Sequence, residues 1–475
     1  MIIKPKTFIA LLLILVLPSN SIAQANSQDI NSYRILQGAP ESFVNSSYLT
    51  SATKSIWETD SDFKLCNSVD SAECDLNEAS QSQWFGAYLS LPKCESTKSQ
   101  WCISELLQYS NGRKTSLKFI KYSSNSHVLS QPKIGLPEGK SASIWKNENT
   151  DELFTINSRL SARYSPYYED KFSISDFTTT IQKVELQSNL GILSEMLIPK
   201  LESDILGAKQ LITSSVPDKC LWASPGECGV VSEMNLDSKL VLTLNLGNEV
   251  GGWFDGRLGS PSISSKKLGN NQNQIRIEAN PISVAEYDAQ VEINNVPSDL
   301  KNYDPRTQFT GGIGNFANDS DFQLFNLWTT LVNNKSSRES KVWNFSSITS
   351  NNNLKCLNST KEVLGIVTTN STIFQGRAPD FKNGSLIYQV GAPHLSASGT
   401  VLQGYYYLNI RKDVAKCLYG FSKTPTNAKV QIQNINGSTY VATSTLKESN
   451  GWLNLRVSGF TYSTPKILVS FPKKR

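Results

Sequence analysis

The segment KLVLTLNLG carries leucine at every second position, at Leu240, Leu242, Leu244 and Leu246. Side chains two residues apart point to the same face of a β-strand, so this face is predicted to be buried. Short alternating segments of the same kind, broken by Ser, Asn, Gly and Pro, run along most of the chain. This pattern is typical of sandwiches. The predicted fold class is therefore mainly β, with two or three antiparallel β-sandwich domains.

One segment departs from the period of two. In NDSDFQLFNLWTTLVNNKS, apolar residues recur at intervals of three and four. This spacing predicts one amphipathic helix over about 320–334, with Asp319 or Ser320 as its N-cap. The apolar stripe is expected to pack into a core rather than to line a ligand site. Its members are Phe322, Phe325, Trp328, Leu331 and Val332.

The last hundred residues have the most regular pattern of strands. Asn436-Gly437 is predicted to form a two-residue type I′ hairpin turn, and Asn450-Gly451 a second tight turn. We predict an immunoglobulin-like sandwich for this region. The full predicted division is a signal peptide over 1–25, an N-terminal β-rich domain over 26–215, a central β domain with the helix over 216–365, and a C-terminal β-sandwich over 366–475.

The first 25 residues have the order of a secretory signal peptide. Two lysines precede an apolar run from Phe8 to Leu17, and small residues lead to Ala23 and Ala25, after either of which cleavage is expected. An uncleaved anchor is the alternative, but the run is about half of the roughly 20 residues that a membrane-spanning helix needs. No span is expected after cleavage, so the protein is predicted to be secreted or loosely attached to the cell surface.

The formal net charge of +5 is mild, and two of the lysines, Lys4 and Lys6, lie in the predicted signal peptide. Such a balance does not indicate nucleic acid or an anionic lipid surface as a partner. The expected partner is a cell-wall or extracellular polysaccharide, or another surface protein.

Eight cysteines lie beyond the signal peptide, and an even count in an exported chain indicates disulfides. Three consecutive pairs share a spacing of seven intervening residues, which predicts local bonds and leaves the last two cysteines for each other. A metal site would need closer spacing and nearby histidines, so no metal or cofactor is predicted. The predicted bonds are Cys66 with Cys74, Cys94 with Cys102, Cys220 with Cys228, and Cys356 with Cys417.

Five segments carry a resemblance: WNFSSI, KCLN, DVAKCLYGFS, VATSTLKESNGWLNLRVSGFTYSTP and GGWFDGRL. They resemble segments of a large group of exported bacterial β-rich proteins to which no function is assigned. The resemblance is best over 340–475 and 251–258, and weaker before residue 230. It supports the bond between Cys356 and Cys417, because both lie in resembling segments. It implies no catalytic residue.

Catalytic motifs are sparse. The two histidines, His127 and His394, lie in no motif of a serine hydrolase and are expected to be ordinary surface residues. A glycoside hydrolase needs only two suitably spaced acids, so it stays a less favoured alternative. The candidate acids are Asp255, Glu278, Glu286 and Asp288. We assign no catalytic residue and favour a protein without enzymatic activity.

The stretch GGWFDGRLGSPS raises a binding hypothesis. On a strand, Trp253, Asp255 and Arg257 share one face, opposite Phe254 and Leu258. An exposed indole beside an acid and a guanidinium suits a sugar ring and its hydroxyls. The favoured interpretation is structural: Phe254 and Leu258 fill the core, and the two charged residues form a solvated pair.

The leading functional hypothesis is an exported, non-enzymatic structural or adhesion protein of the cell surface or extracellular space. The alternative is a carbohydrate-binding protein that uses exposed aromatic residues such as Trp253, Tyr405 and Tyr407.

Overall fold

The computed structural model describes residues 32–37, 47–52, 63–66, 68, 84–96, 99–132, 135–164, 172–190, 220–224, 226–269, 271–292, 316–317, 319–348, 356, 362–434, 437–462 and 465–471. The predicted signal peptide lies outside these ranges. Within them, no helix combines the length and the apolar character that a membrane crossing requires.

Strands dominate the described residues, which confirms a mainly β fold with antiparallel sheets. The helices are α1 (Asp319–Leu331) and α2 (Lys412–Tyr419). The strands are β1 (Ser32–Gln37), β2 (Tyr48–Ala52), β3 (Phe63–Cys66), β4 (Trp84–Ser90), β5 (Cys102–Ser110), β6 (Arg113–Ser116), β7 (Lys118–Tyr122), β8 (His127–Val128), β9 (Gly139–Lys140), β10 (Ser143–Lys146), β11 (Leu153–Tyr164), β12 (Phe172–Leu190), β13 (Cys220–Ser224), β14 (Gly226–Val231), β15 (Lys239–Gly247), β16 (Gly252–Arg257), β17 (Gly259–Gly269), β18 (Gln272–Asn280), β19 (Ile282–Glu292), β20 (Phe316–Ala317), β21 (Arg338–Ile348), β22 (Val363–Thr369), β23 (Ile373–Gln375), β24 (Asp380–Lys382), β25 (Ser385–Gly391), β26 (Gln403–Arg411), β27 (Lys429–Gln433), β28 (Thr439–Val441), β29 (Thr443–Ser449), β30 (Trp452–Thr461) and β31 (Lys466–Ser470).

Hydrogen bonds join the described strands into three sheets. The large sheet has 19 strands and includes the series β12, β21, β16, β22, β26, β30 and β29. The second sheet has the order β17-β18-β15-β5-β6, and the third sheet the order β20-β23-β25-β31-β27-β28, with β24 beside β25. Most pairs are antiparallel, whereas the pairs β16–β22 and β20–β23 are parallel.

Two hydrophobic cores lie against the large sheet. The first core joins it to the second sheet, where Leu242 and Ile277 pack in one cluster with Trp343. The second core joins its C-terminal strands to the third sheet, where Tyr388 and Val469 cluster with strands β26 and β30. The described residues therefore form two sandwiches that share the large sheet.

Strand β16 lies where the two sandwiches meet, between β21 and β22. Phe254 belongs to the first core, and its neighbour Trp253 to the second. Gly365 on β22 leaves room for the indole, because a Cβ at this position would lie 2.4 Å from the ring of Trp253. Both faces of β16 are therefore buried.

The two predicted hairpins both form, with different turns. Asn450 and Gly451 have φ angles of 51° and 79° and separate β29 from β30, which is the two-residue turn expected. Between β27 and β28, however, Gln433 pairs with Thr439, a register that does not centre the turn on Asn436 and Gly437, so the predicted two-residue turn is wrong. Gly437, with φ of 82°, donates its N–H to the carbonyl of Asn434 at 2.9 Å, while Asn436 lies outside the described residues.

Helix α1 confirms the predicted amphipathic helix and ends earlier than expected. Asn333 and Asn334 both have φ of 54°, in the left-handed region, which stops the helix after Leu331. Phe322 and Phe325 pack in a cluster with Tyr287 and Ile373. The aromatic stripe thus fills a core, as predicted. The side chains of the two N-cap candidates, Asp319 and Ser320, lie outside the described part.

Three of the four predicted disulfides are formed. Cα atoms are 4.9 Å apart in Cys94–Cys102, and 5.8 Å apart in both Cys220–Cys228 and Cys356–Cys417. Cys66 is also disulfide-bonded, but its predicted partner Cys74 lies outside the described residues. The bond of longest sequence separation ties residue 356 to helix α2.

The cores do not follow the predicted domain division. The first core contains Leu89, Leu242 and Trp452, which come from all three predicted domains. The second core takes Trp253 and Ile348 from the predicted central domain. The boundaries at 215 and 365 stay predictions, and the packing continues across both.

Candidate functional site

The three residues predicted as a binding surface on β16 are enclosed. Trp253, Asp255 and Arg257 have exposed fractions of 0, 0 and 1%. The expectation of a solvated Asp255–Arg257 face is wrong, because the second core covers that face. An open stacking surface at Trp253 is excluded for the same reason, whereas the expected burial of Phe254 and Leu258 is confirmed.

Arg257 on β16 forms hydrogen bonds to β21 and to the connection between β22 and β23. Its backbone N–H donates to Oδ1 of Asn344 at 3.0 Å. Its guanidinium donates from Nε to the carbonyl of Ser371 at 3.2 Å and from Nη2 to the carbonyl of Thr372. The guanidinium carbon also lies 5.2 Å from the ring centroid of Phe374. These contacts hold the connection between β22 and β23 in place.

Asp255 affects a buried phenol on the third sheet. Burial raises the pKa of Tyr388 well above its usual range, the charge of Asp255 raises that pKa further, and Arg257 opposes both effects. The phenol is therefore neutral and donates its O–H to the carbonyl of Gln375 at 2.6 Å. Asp255 is itself fully buried and so does not line an open cleft.

The other candidate acids are in different environments. Glu286 is fully buried, and its Oε2 accepts a hydrogen bond from Nε of Arg338 at 2.6 Å. Burial raises the pKa of Glu286, although Ser340 and Arg338 favour its charged form. Glu278 pairs with Lys239 at 2.8 Å on the second sheet. The side chain of Asp288 lies outside the described part.

Both histidines have partners unrelated to a hydrolase. Nε2 of His127 lies 2.9 Å from Oε1 of Glu138. Nδ1 of His394 lies 3.2 Å from the carbonyl oxygen of Tyr462. In the described ranges, no three His, Cys, Asp or Glu side chains gather closely enough to hold a metal ion.

A polar pocket lies between β17 and the ends of β26 and β30. Its volume is about 290 Å³, near the lower end of the range for small-molecule sites. The residues that line it come from five separate segments, so no local sequence motif could have indicated it. The sequence predicted only one part of it, the turn at Asn450-Gly451. The polar pocket is lined by Ser265, Lys267, Asn273, Glu362, Val363, Arg411, Asn450, Gly451 and Trp452.

Ion pairs hold the charged side chains of the polar pocket. Glu362 accepts from Nζ of Lys267 at 2.8 Å and from Arg411. Arg411 also forms a two-bond pair with Asp413, one bond being 2.9 Å from Nε to Oδ1. Lys267 and Arg411 lower the pKa of Glu362, and Asp413 and Glu362 raise that of Arg411. The pocket charges are therefore fixed in place and largely neutralised by one another.

The two tyrosines proposed as exposed aromatic residues differ in access. Tyr405 is 40% exposed, but Tyr407 is only 8% exposed. Tyr407 packs in a cluster with Ile282, Val284 and Val342, which cover it. The rings are parallel within 2°, with centroids 6.4 Å apart. The expectation of an exposed aromatic residue is therefore confirmed for Tyr405 and wrong for Tyr407.

Comparisons with known proteins identified no relative of this chain. No protein-family model matches the chain, and no match was found among curated proteins.

Proposed function

We propose that this chain is an exported, non-enzymatic protein of the cell surface or extracellular matrix, which adheres to polysaccharide through the polar pocket. The observation that carries the proposal is the fixed set of hydrogen-bonding groups in that pocket. Lys267 and Arg411 are each already paired with Glu362. The hydroxyl groups of a sugar can use the remaining hydrogen-bonding capacity of these side chains without breaking the ion pairs.

The amides of the pocket support the same ligand class. Asn273 lies on β18, and Asn450 lies in the turn between β29 and β30. An amide both donates and accepts hydrogen bonds, as a sugar hydroxyl does. A groove that is held by packed strands orders few groups on binding, which limits the entropic cost.

Disulfides suit the proposed location. The described residues contain three complete bonds, and disulfides persist in oxidising compartments outside the cytosol. Together with the signal-like order of the first 25 residues, they support export.

The test is retention of the purified protein on immobilised cell-wall and extracellular polysaccharides. Ser265→Trp places an indole into the polar pocket and should abolish retention. Ser264→Trp is the matched control, because Ser264 is an exposed neighbour that points to the opposite face of β17. We expect this control to bind as the unmodified protein does.

Two results would contradict the proposal. If correctly folded protein is retained on none of the polysaccharides, the proposed adhesion to polysaccharide is wrong. If purified protein hydrolyses a polysaccharide and mutation of a single acidic residue abolishes this activity, the proposed non-enzymatic role is wrong.

A further inference from the structure

An exposed surface extends from the polar pocket along the large sheet. Strand register places Tyr405, Ser458 and Thr443 in one row across β26, β30 and β29. The next rows place Arg456 beside Thr445, and Asn454 beside Lys447. We define the open face as five exposed residues of these rows together with the half-buried Ser458. The exposed residues are Tyr405, Thr443, Thr445, Lys447 and Arg456.

The open face is separated from the hydrophobic interior by the alternation of its strands. Leu453, Leu455 and Val457 on β30 are buried in the second core. Their neighbours Arg456 and Ser458 point to the other side, where Arg456 is exposed and Ser458 half-buried. The open face is thus a polar sheet surface with one exposed aromatic ring.

Two cations of the open face lack acidic partners. Within the described ranges, neither Arg456 nor Lys447 forms an ion pair, although nearby Lys267, Arg411 and Lys412 all do. Arg456 and Lys447 occupy diagonal positions on adjacent strands, where separations are roughly 7–8 Å. Two like charges at this spacing repel one another, and a bound anion would relieve the repulsion.

We infer that the open face binds a polysaccharide that carries carboxylates, with its acid groups against Arg456 and Lys447 and one sugar ring against Tyr405. Guanidinium groups match carboxylates in geometry, and aromatic faces suit the apolar side of a sugar ring. The inference rests on the proposed function and gives it a substrate class.

The geometry also connects this surface to the polar pocket. Arg411 lines the pocket at the end of β26, and Tyr405 lies on the open face six residues before it on the same strand. At a rise of roughly 3.4 Å per residue, they lie about 20 Å apart, so one extended chain can contact both. Thr443 and Thr445 add hydroxyl groups along the way. Tyr405 is the one large apolar side chain exposed on this face, which favours a polysaccharide over a lipid surface.

The experiment compares binding of the full chain to polygalacturonate and to its methyl ester, which has the same backbone without the charge. We expect the acid to bind roughly tenfold or more tightly than the ester, and this preference to weaken with added salt. The double variant Arg456→Ala with Lys447→Ala should lose the preference. Its matched control is Lys429→Ala with Lys466→Ala, two exposed lysines on the third sheet, which should keep it.

The alternative outcomes separate the two proposals. Equal binding of acid and ester would overturn this inference and leave the proposed function standing. Binding to phosphatidylglycerol vesicles but not to polygalacturonate, lost in the double variant, would replace the polysaccharide by a membrane. If no polysaccharide binds at all, the proposed function fails together with this inference.

Discussion

Trp253 and Phe254 are adjacent residues whose side chains enter different hydrophobic cores. Each is fully buried, so neither core can lose its ring without leaving a cavity. We expect Phe254→Ala and Trp253→Ala each to lower the free energy of unfolding by about 3 to 5 kcal/mol. Urea denaturation measures this change, and Tyr405→Ala on the surface is the control. If Trp253→Ala leaves the free energy of unfolding unchanged, the conclusion that both faces of β16 are buried is contradicted.

Arg257 supplies the donors for two buried carbonyls, at Ser371 and Thr372. A buried acceptor without its donor costs about 1–3 kcal/mol. We therefore expect Arg257→Ala to destabilise the fold by at least about 2 kcal/mol.

The matched control is Arg276→Ala. Arg276 pairs with Glu105 at 2.9 Å on a partly exposed surface, so its loss should cost under about 1 kcal/mol. Comparable losses of thermal stability in the two variants would show that the contacts of Arg257 are not structural.

The residue scale also shows where the sequence was sufficient and where it was not. Alternation correctly placed Phe254 and Leu258 inside and separated them from Trp253, Asp255 and Arg257. It could not show that a second core covers the other face, because that core is built from strands more than a hundred residues away. Charged residues usually mark a solvated face, and here they lie between two sheets.

At the scale of secondary-structure elements, the ion pairs of the polar pocket join β17 to β26. Lys267 on β17 and Arg411 on β26 both pair with Glu362. Lys267 and Arg411 hold the pKa of Glu362 below its ordinary value of 4.5. A carboxyl group with a lowered pKa in the folded state stabilises the fold above that ordinary value. This stabilisation is lost as the pH falls through the folded pKa, because the unfolded chain binds the proton more readily.

We therefore expect the unmodified protein to lose more stability than Glu362→Gln when the pH falls from neutral to below 4.5. Thermal unfolding of both proteins over this pH range measures the difference. Parallel pH profiles would mean that the pairs of Glu362 contribute nothing to stability.

The disulfides close loops of different lengths between secondary-structure elements. The bond between Cys356 and Cys417 closes a separation of 61 residues, and that between Cys94 and Cys102 a separation of 8. Loop entropy predicts losses of about 4 and about 2.5 kcal/mol when each pair is replaced by serine. Urea denaturation of the two double variants compares them. A larger loss for the shorter loop would contradict this entropic account.

At the scale of the whole molecule, the C-terminal sandwich depends on a strand from outside the predicted 366–475 domain. β22 pairs with β16 on one side, and Trp253 fills part of the second core. We expect an isolated 366–475 fragment to be unfolded or aggregated by circular dichroism. The matched control is a 216–475 fragment, which includes β16. A stable, cooperative fold of the shorter fragment would show that β16 is dispensable.

The sequence predicted the fold class, the amphipathic helix and three observed disulfides, because each leaves a local pattern or a regular spacing. It did not indicate the polar pocket, whose residues lie on β17, β18, β22, β26 and β30, at residue 362 and in the turn before β30. Such a site depends on strand order, and strand order between distant segments leaves no periodic signal in one sequence.

The pairing of β16 with β22 also means that β16 is synthesised before its parallel partner. The ribosome completes β16 long before it completes β22, and α1 and β21 are made in between. Both neighbours of β16 follow it in the chain, so β16 has two open hydrogen-bonding edges until β21 is made and one from then until β22 is made. During this time Trp253 has no second core to enter. Contacts of such sequence separation form slowly, and exposed strand edges pair with other chains. The period before β22 appears is therefore when a nascent chain of this fold most needs protection from aggregation.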